Sequence, residues 1–191
     1  MIKIKDIADI RLGYAFRGKI EDSPCGTIRV IQPKDISLFD IDILTRISAE
    51  DIKTSGFLKK DDVLVTNRGS VKAFVFKGED KIIASHGFFI LTIKDKSILS
   101  DFVELYINSS SGQQSIKKVL EAMTIPALTR GLLENIEIPR LNLQTQKKLI
   151  SIWQLQQKEI ALTNQLIELK EKRFNQTKPG GNHEEFCIYF P

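Results

Sequence analysis

Residues 142–175 constrain this chain more than any other stretch. They contain neither glycine nor proline, so nothing in them interrupts a helical hydrogen-bond ladder, and Asn142 can cap the first turn. At about 1.5 Å per residue such a helix is roughly 50 Å long, more than one small globule needs. Two apolar tracks run along it. Ile152, Leu155, Leu162, Leu166 and Leu169 form one; Leu149, Trp153, Ile160, Ile167 and Phe174 form another, well around the cylinder. A helix covered by a single domain needs only one track. The second is expected to face another surface, which makes the helix a strut that binds partners. A long C-terminal helix folded back over its own domain fits the composition equally well.

The strut implies three parts: a globular domain at 1–141, the helix at 142–175 and a tail at 176–191. With 191 residues, 42% of them hydrophobic, the first part can build a core. No apolar run approaches the roughly 18 residues of a membrane span, and the opening Met1-Ile2-Lys3-Ile4-Lys5-Asp6 lacks a signal-peptide core. A cytoplasmic protein with no membrane partner is therefore expected. Cys25 and Cys187, with only His86 and His183 for company, match no metal-ligand spacing, so no metal is expected. The net charge of +4 permits an acidic partner without demanding one.

Along the chain, Ile4, Ile7 and Ile10 recur at helical or strand-edge spacing, and Gly13 opens the loop Tyr14-Ala15-Phe16-Arg17-Gly18-Lys19. Aromatic and basic residues alternate there, a pattern suited to stacking and phosphate neutralisation. Thr27-Ile28-Arg29-Val30-Ile31-Gln32 reads as a strand stopped by Pro33, with Lys34 and Asp35 in the turn. Ser48-Ala49-Glu50-Asp51 reads as the start of a short helix ended by Gly56. From Leu58 onward, strands are expected at 62–66, 73–76, 81–84 and 88–93, with turns at 67–70 and at Gly78. Their close spacing suggests an antiparallel, barrel-like or strongly bent sheet. Phe102, Val103, Leu105 and Tyr106 mark a helix that 109–112 should break; Ile116, Val119, Leu120 and Met123 mark another, with Lys117 and Lys118 on its wet side. Pro126, Gly131 and Pro139 punctuate the next stretch, around a strand at 136–138. In the tail, Lys178-Pro179-Gly180-Gly181 ends the long helix, and 186–190 is either an edge strand or a disordered end. There is no internal repeat and no low-complexity segment. The expected class is α+β: a globular domain with a bent antiparallel β-sheet and flanking helices, followed by one long coiled-coil-like C-terminal helix.

Several of these stretches, in this order, resemble the specificity subunit of type I restriction-modification systems. The family's short apolar opening leading to a glycine matches Ile4-Lys5-Asp6-Ile7-Ala8-Asp9-Ile10-Arg11-Leu12-Gly13. Its strand and polar turn match Ile28-Arg29-Val30-Ile31-Gln32-Pro33-Lys34-Asp35-Ile36. A third pattern matches Leu58-Lys59-Lys60-Asp61-Asp62-Val63-Leu64-Val65-Thr66-Asn67-Arg68-Gly69-Ser70. The closing pattern matches Leu128-Thr129-Arg130-Gly131-Leu132-Leu133-Glu134-Asn135-Ile136-Glu137-Ile138-Pro139, followed by Gln146 and the helix. The resemblance implies a target recognition domain that reads one half of a split sequence in double-stranded DNA. It also implies a helix that pairs with a counterpart and docks a methyltransferase (modification) subunit, joined by a restriction subunit in the full complex. The family's usual chain carries two recognition domains and two long helices, whereas this one has one of each. It looks like half a subunit, and a homodimer with antiparallel helices would restore two-fold symmetry and make the half-sites identical and inverted. The proline-rich, glutamate-glutamine junction common in the family is here Pro139-Arg140-Leu141-Asn142-Leu143-Gln144-Thr145-Gln146, a departure at the join to the helix.

No catalytic site or cofactor is expected. The chain has no Gly-rich phosphate loop and no Asn-Pro-Pro-aromatic cluster of amino-methyltransferases. Glu168-Leu169-Lys170 matches the Glu-x-Lys end of many nucleases, but within a strut helix it reads as a surface charge pair. His86 after Ser85 reads as a hydrogen-bonded or DNA-facing side chain. The positive chemistry is groove reading, in which Arg suits guanine and Asn suits adenine. Tyr14, Arg17, Asn67, Arg68 and His86 are the candidates for base contact, and Lys19, Lys34, Ser70 and Lys72 for phosphate contact. For each, an exposed polar loop residue is the competing interpretation. Rival functions are a protein-interaction adaptor or anti-restriction decoy that uses the helix without DNA, and a nuclease built around Glu168.

Overall fold

The alternation of side chains along a strand decides how the β-rich middle of the chain is buried. β5 (Val63–Thr66) and β8 (Phe88–Ile93) lack the apolar-polar alternation of a half-buried strand, because both faces are covered. Val63, Val65, Phe89 and Leu91 point into one core cluster, and Leu64, Phe88 and Ile90 into another. The computed structural model describes residues 1–38, 41–48, 56–78, 81–121 and 127–176.

The chain opens with β1 (Ile2–Lys3), a single helical turn α1 (Ile4–Ile7) and β2 (Ala8–Leu12). Both readings of the Ile4, Ile7, Ile10 spacing are realised in succession: Ile4 and Ile7 are buried from the turn, and Ile10 from the strand. β3 (Ile28–Ile31) is followed by a six-residue 3-10 helix, Pro33–Leu38, where a turn was expected. A 3-10 turn (Ile41–Ile43) leads to β4 (Thr45–Ile47). Then come β5, β6 (Ala73–Val75), β7 (Ile82–Ala84), β8, α2 (Ser100–Asn108), α3 (Ser110–Glu121), α4 (Arg130–Asn135), β9 (Glu137–Ile138) and α5 (Leu143–Gln176). The expected helix after Ser48, Met123 and Pro126, and the tail from Thr177 lie outside the described residues.

The α+β class stands, with a topology richer than one meander. An antiparallel sheet has the order β2-β8-β5-β6, and β1 pairs with β9. β7 leaves this sheet and pairs in parallel with β3, which pairs antiparallel with β4 on its other side. The first core cluster gathers Ile4, Ile7, Val103, Ile107, Leu133 and Ile138 against the four-stranded sheet. On the opposite face, Ile31, Leu44, Leu58, Phe76 and Ile82 form the second. Asp62 is buried where these layers meet. Its Oδ2 accepts from Arg11 Nη2 at 2.9 Å and the Lys59 backbone N–H at 2.9 Å, and its Oδ1 accepts from the Thr92 hydroxyl at 2.6 Å, so the buried charge is fully bonded.

Where 109–112 was expected to break the helix, only Ser109 leaves it, and α3 resumes at Ser110. α4 was not expected at all. Thr129 caps it, its side chain accepting from the Leu132 backbone N–H at 3.3 Å.

A carboxylate on α2 gives the fold a pH dependence. Burial first, then the charge of Asp101, raises the pKa of Glu104 to about 7, while Lys77 and a hydrogen bond from the Val75 backbone act in the opposite sense. The folded state therefore holds a proton that the unfolded chain releases nearer the ordinary carboxylate value, so stability falls as pH rises from about 4.5 to about 7. Glu104→Gln is expected to raise stability above pH 7 by about 1–3 kcal/mol and to leave it nearly unchanged at pH 4. Urea denaturation across that pH range checks the difference.

Asn142 caps α5 as expected, its Oδ1 accepting from the Thr145 backbone N–H at 2.8 Å. The chain divides into two compact units, Met1–Ile150 and a second from Ser151. The first turns of the helix thus belong to the globular unit, which was expected to end at residue 141. Gln146 and Ile150 explain why, being 0% and 8% exposed. Among the described residues no helix is long and apolar enough to cross a membrane.

Candidate functional site

The turn 84–88, between β7 and β8, fastens the segments that carry several of the predicted site residues. Gly13 N–H donates to Phe88 O at 2.9 Å and Tyr14 N–H to Ala84 O at 2.7 Å, and Tyr14 forms a parallel bridge with Ser85. A Cβ on Gly13 would collide with the Ser85 carbonyl, so the approach of these two strands requires glycine. From another direction, Ser85 N–H donates to Ile31 O at 3.0 Å. That bond brings in the end of β3 and the 3-10 helix behind it, whose start is held by the Asp35 carboxylate accepting from Gln32 N–H at 2.8 Å. Lys34 is exposed on this helix.

The third segment is the β5–β6 connection. Asn67 N–H donates to Gly87 O at 3.0 Å and its Nδ2 to His86 O at 2.8 Å. Asn67 O in turn accepts from Leu128 N–H at 3.0 Å, and Arg68 forms a bridge with Ala127. Tyr14, Lys34, Asn67, Arg68 and His86 therefore sit on segments tied to one turn. The side chains of Arg68 and His86 are exposed, whereas that of Asn67 is half-buried. Its Oδ1 is enclosed and has no hydrogen-bond partner among the described residues, and its amide nitrogen donates to His86 O.

Arg17 and Lys19 are exposed on the loop that follows Tyr14. The Tyr14 ring packs edge-on against Phe16, with centroids 4.8 Å apart. Ser70 and Lys72 are exposed on the β5–β6 connection. Thr66 closes its base, donating its hydroxyl to Ser70 O at 2.8 Å and accepting from Lys72 N–H at 2.8 Å. Thr66 reads from sequence as the last residue of a strand, and its role in shaping the loop had no local signal beyond a hydroxyl at a strand end. Among the described residues no group of three or more His, Cys, Asp or Glu is placed to hold a metal.

On the second unit, the apolar side chains of the two tracks are exposed: Leu155 68%, Leu169 62% and Phe174 69%, with Ile152, Ile160, Leu162, Leu166 and Ile167 near half. Leu149, still in the first unit, is 38% exposed, and Trp153 is half-buried. Glu168 and Lys170 are both exposed.

Residues 1–171 match the family model described as the type I restriction modification DNA specificity domain. The chain belongs to that family. This specificity domain is 24% identical over 177 residues to the type I restriction enzyme MjaIX specificity subunit of Methanocaldococcus jannaschii, covering 90% of this chain and 39% of that protein. Its fold is shared with the S subunit of the type I restriction-modification system of M. genitalium, with a TM-score of 0.59, 18% identity, and coverage of 91% of this chain and 43% of that one. A structure describing complex assembly and conformational transition of the type I R-M system contains a chain with a TM-score of 0.67 and 19% identity, covering 92% and 42%. The HsdS subunit of Thermoanaerobacter tengcongensis matches with a TM-score of 0.61 and 19% identity, covering 86% and 39%. The specificity domain thus spans about two fifths of the length of each of these relatives.

Proposed function

We propose that this specificity domain reads one half of a bipartite site in double-stranded DNA and directs a partner methyltransferase subunit to it, with a restriction subunit joining in the full complex. Methyl transfer and cleavage then belong to the partners, and this chain contributes recognition. The observation that carries the reading is the convergence of the Tyr14, Lys34, Arg68 and His86 segments on the 84–88 turn. Rigidly tied loops presenting an arginine fork, an imidazole and a phenol suit base edges. Lys19, Lys34, Ser70 and Lys72 suit the phosphates that set register. Arg17 is assigned to the bases. The internal bonds of Asn67 support a part for it in holding the loop in place.

The exposed tracks of α5 support pairing with a second long helix, in our reading that of a second copy of this chain. Two such copies, with antiparallel helices, read identical inverted half-sites, and the helix length sets the spacing between them. Sedimentation of the chain alone and with the modification subunit, followed by binding to a random DNA pool, tests this. A dimer that enriches sequence from the pool is the expected result. A chain that stays monomeric in both settings contradicts the pairing, and one that assembles with the subunit yet enriches no sequence contradicts DNA reading.

A further inference from the structure

The loop 67–72 and the residue after it are also held by two side chains outside the proposed recognition set. At the elbow between α2 and α3, the Asn108 side chain clasps both backbone groups of Ala73: Oδ1 accepts its N–H at 2.9 Å, and Nδ2 donates to its carbonyl at 2.9 Å. From the next helix, Gln113 Nε2 donates to Val71 O at 2.8 Å and to Ile107 O at 2.7 Å. Residue 72 faces the other way, its N–H bonded to the Thr66 hydroxyl and its carbonyl accepting from Thr66 N–H at 2.9 Å. The returning arm of the loop is thereby bonded on both sides.

The elbow itself is built for this. Ser109 Oγ donates to Tyr106 O at 2.7 Å and accepts from Gly112 N–H at 3.1 Å, and a Cβ on Gly112 would collide with the Tyr106 carbonyl. The close approach of the two helices brings Asn108 to the first residue of β6 and Gln113 to Val71, two residues before it. β6 is an edge strand, whose outward N–H and C=O groups could be satisfied by water. Fixing those of Ala73 with the Asn108 amide, and the Val71 carbonyl with that of Gln113, removes conformational freedom from the loop before it meets a ligand, and that lowers the entropic cost of binding.

We propose that Asn108 and Gln113 are positioning residues for DNA specificity: by clamping 71–73 they hold loop 67–72 in the geometry that presents Arg68 to a base pair. This rests on the DNA-reading function proposed above. The test uses the full chain with its modification subunit and the sequence selected from a random DNA pool. The near-isosteric neutral variants Asn108→Leu and Gln113→Met are each expected to lose about tenfold in preference for the selected sequence over random DNA, while affinity for random DNA changes by no more than about twofold. A purely structural role would lower both affinities together. Equal losses on both DNAs, or unchanged preference in folded variants, would overturn the proposal.

Amide hydrogen exchange on the wild-type chain gives a check that does not depend on the variants folding. The Ala73 amide is expected to exchange about a hundredfold more slowly than that of Arg68, and equal rates would overturn the clamp. If the wild-type complex selects no sequence at all, the DNA reading fails first, and the exchange rates still report separately on the clamp.

Discussion

Arg68→Ala is expected to lower the preference for the cognate half-site over random DNA by roughly ten- to a hundredfold, corresponding to about 1–3 kcal/mol for one bidentate contact to a base. The expectation follows from where the residue sits. Its backbone is bridged to Ala127, the preceding residue is bonded to the 84–88 turn, and its side chain is exposed. The guanidinium is thus presented by a fixed backbone, and its fork matches the paired acceptors of guanine. Lys72→Ala is the matched control. An exposed ammonium suited to a phosphate should weaken binding to all sequences alike and reduce the salt-dependence slope by about one. Competition binding at two salt concentrations separates the two variants, and equal losses for Arg68→Ala on cognate and random DNA would remove it from the base-reading set.

Gln146→Leu is expected to destabilise the globular unit by about 3 kcal/mol. Gln146 is 0% exposed. Its Oε1 accepts the Leu99 backbone N–H at 2.9 Å, and its Nε2 donates to Ser97 O at 2.7 Å and Leu141 O at 2.8 Å. Leucine fills much the same volume, so the loss isolates the hydrogen bonds, leaving one buried donor and two acceptors without this partner. For a unit of this size the melting midpoint should fall by roughly 6–12 °C. Calorimetry reads that shift; a change of less than about 1 °C would mean that water replaces the side chain at no cost.

The long helix was legible because its signal is local: no Gly or Pro, a capping Asn142 and apolar residues at helical steps. β3 and β5 to β8 were legible for the same reason, since β-branched and aromatic runs bounded by turns declare themselves within a few residues, whereas β1 and β4, two and three residues long, were not read. Partners were not. Nothing in Ile82-Ile83-Ala84 tells a strand that continues the antiparallel sheet from one that crosses to pair in parallel with β3, because both positions bury the same residues. Gly112 read as a helix breaker, whereas its lack of a side chain lets two helices meet, and that role depends on Tyr106 being there. α4 was missed because Gly131 read only as punctuation, while the helix is six residues long and capped by Thr129.

The site divides in the same way. Exposed loop residues such as Arg17, Arg68 and His86 were visible as chemistry suited to DNA. The amides that shape the loops were not, since Asn108 and Gln113 lie 35 and 42 residues from the backbone they hold and carry no mark of that role in their surroundings. Asn67 was visible for its chemistry, and the bond from its Nδ2 to His86 O was not.

Selection of bound sequences from a random double-stranded DNA pool, performed with this chain and its modification subunit, tests the central claim most directly. Enrichment of one short sequence, repeated in inverted orientation at a fixed spacing, is the expected result, with loss of that enrichment in Arg68→Ala. A wild-type complex that assembles yet recovers the pool in its starting composition would contradict it.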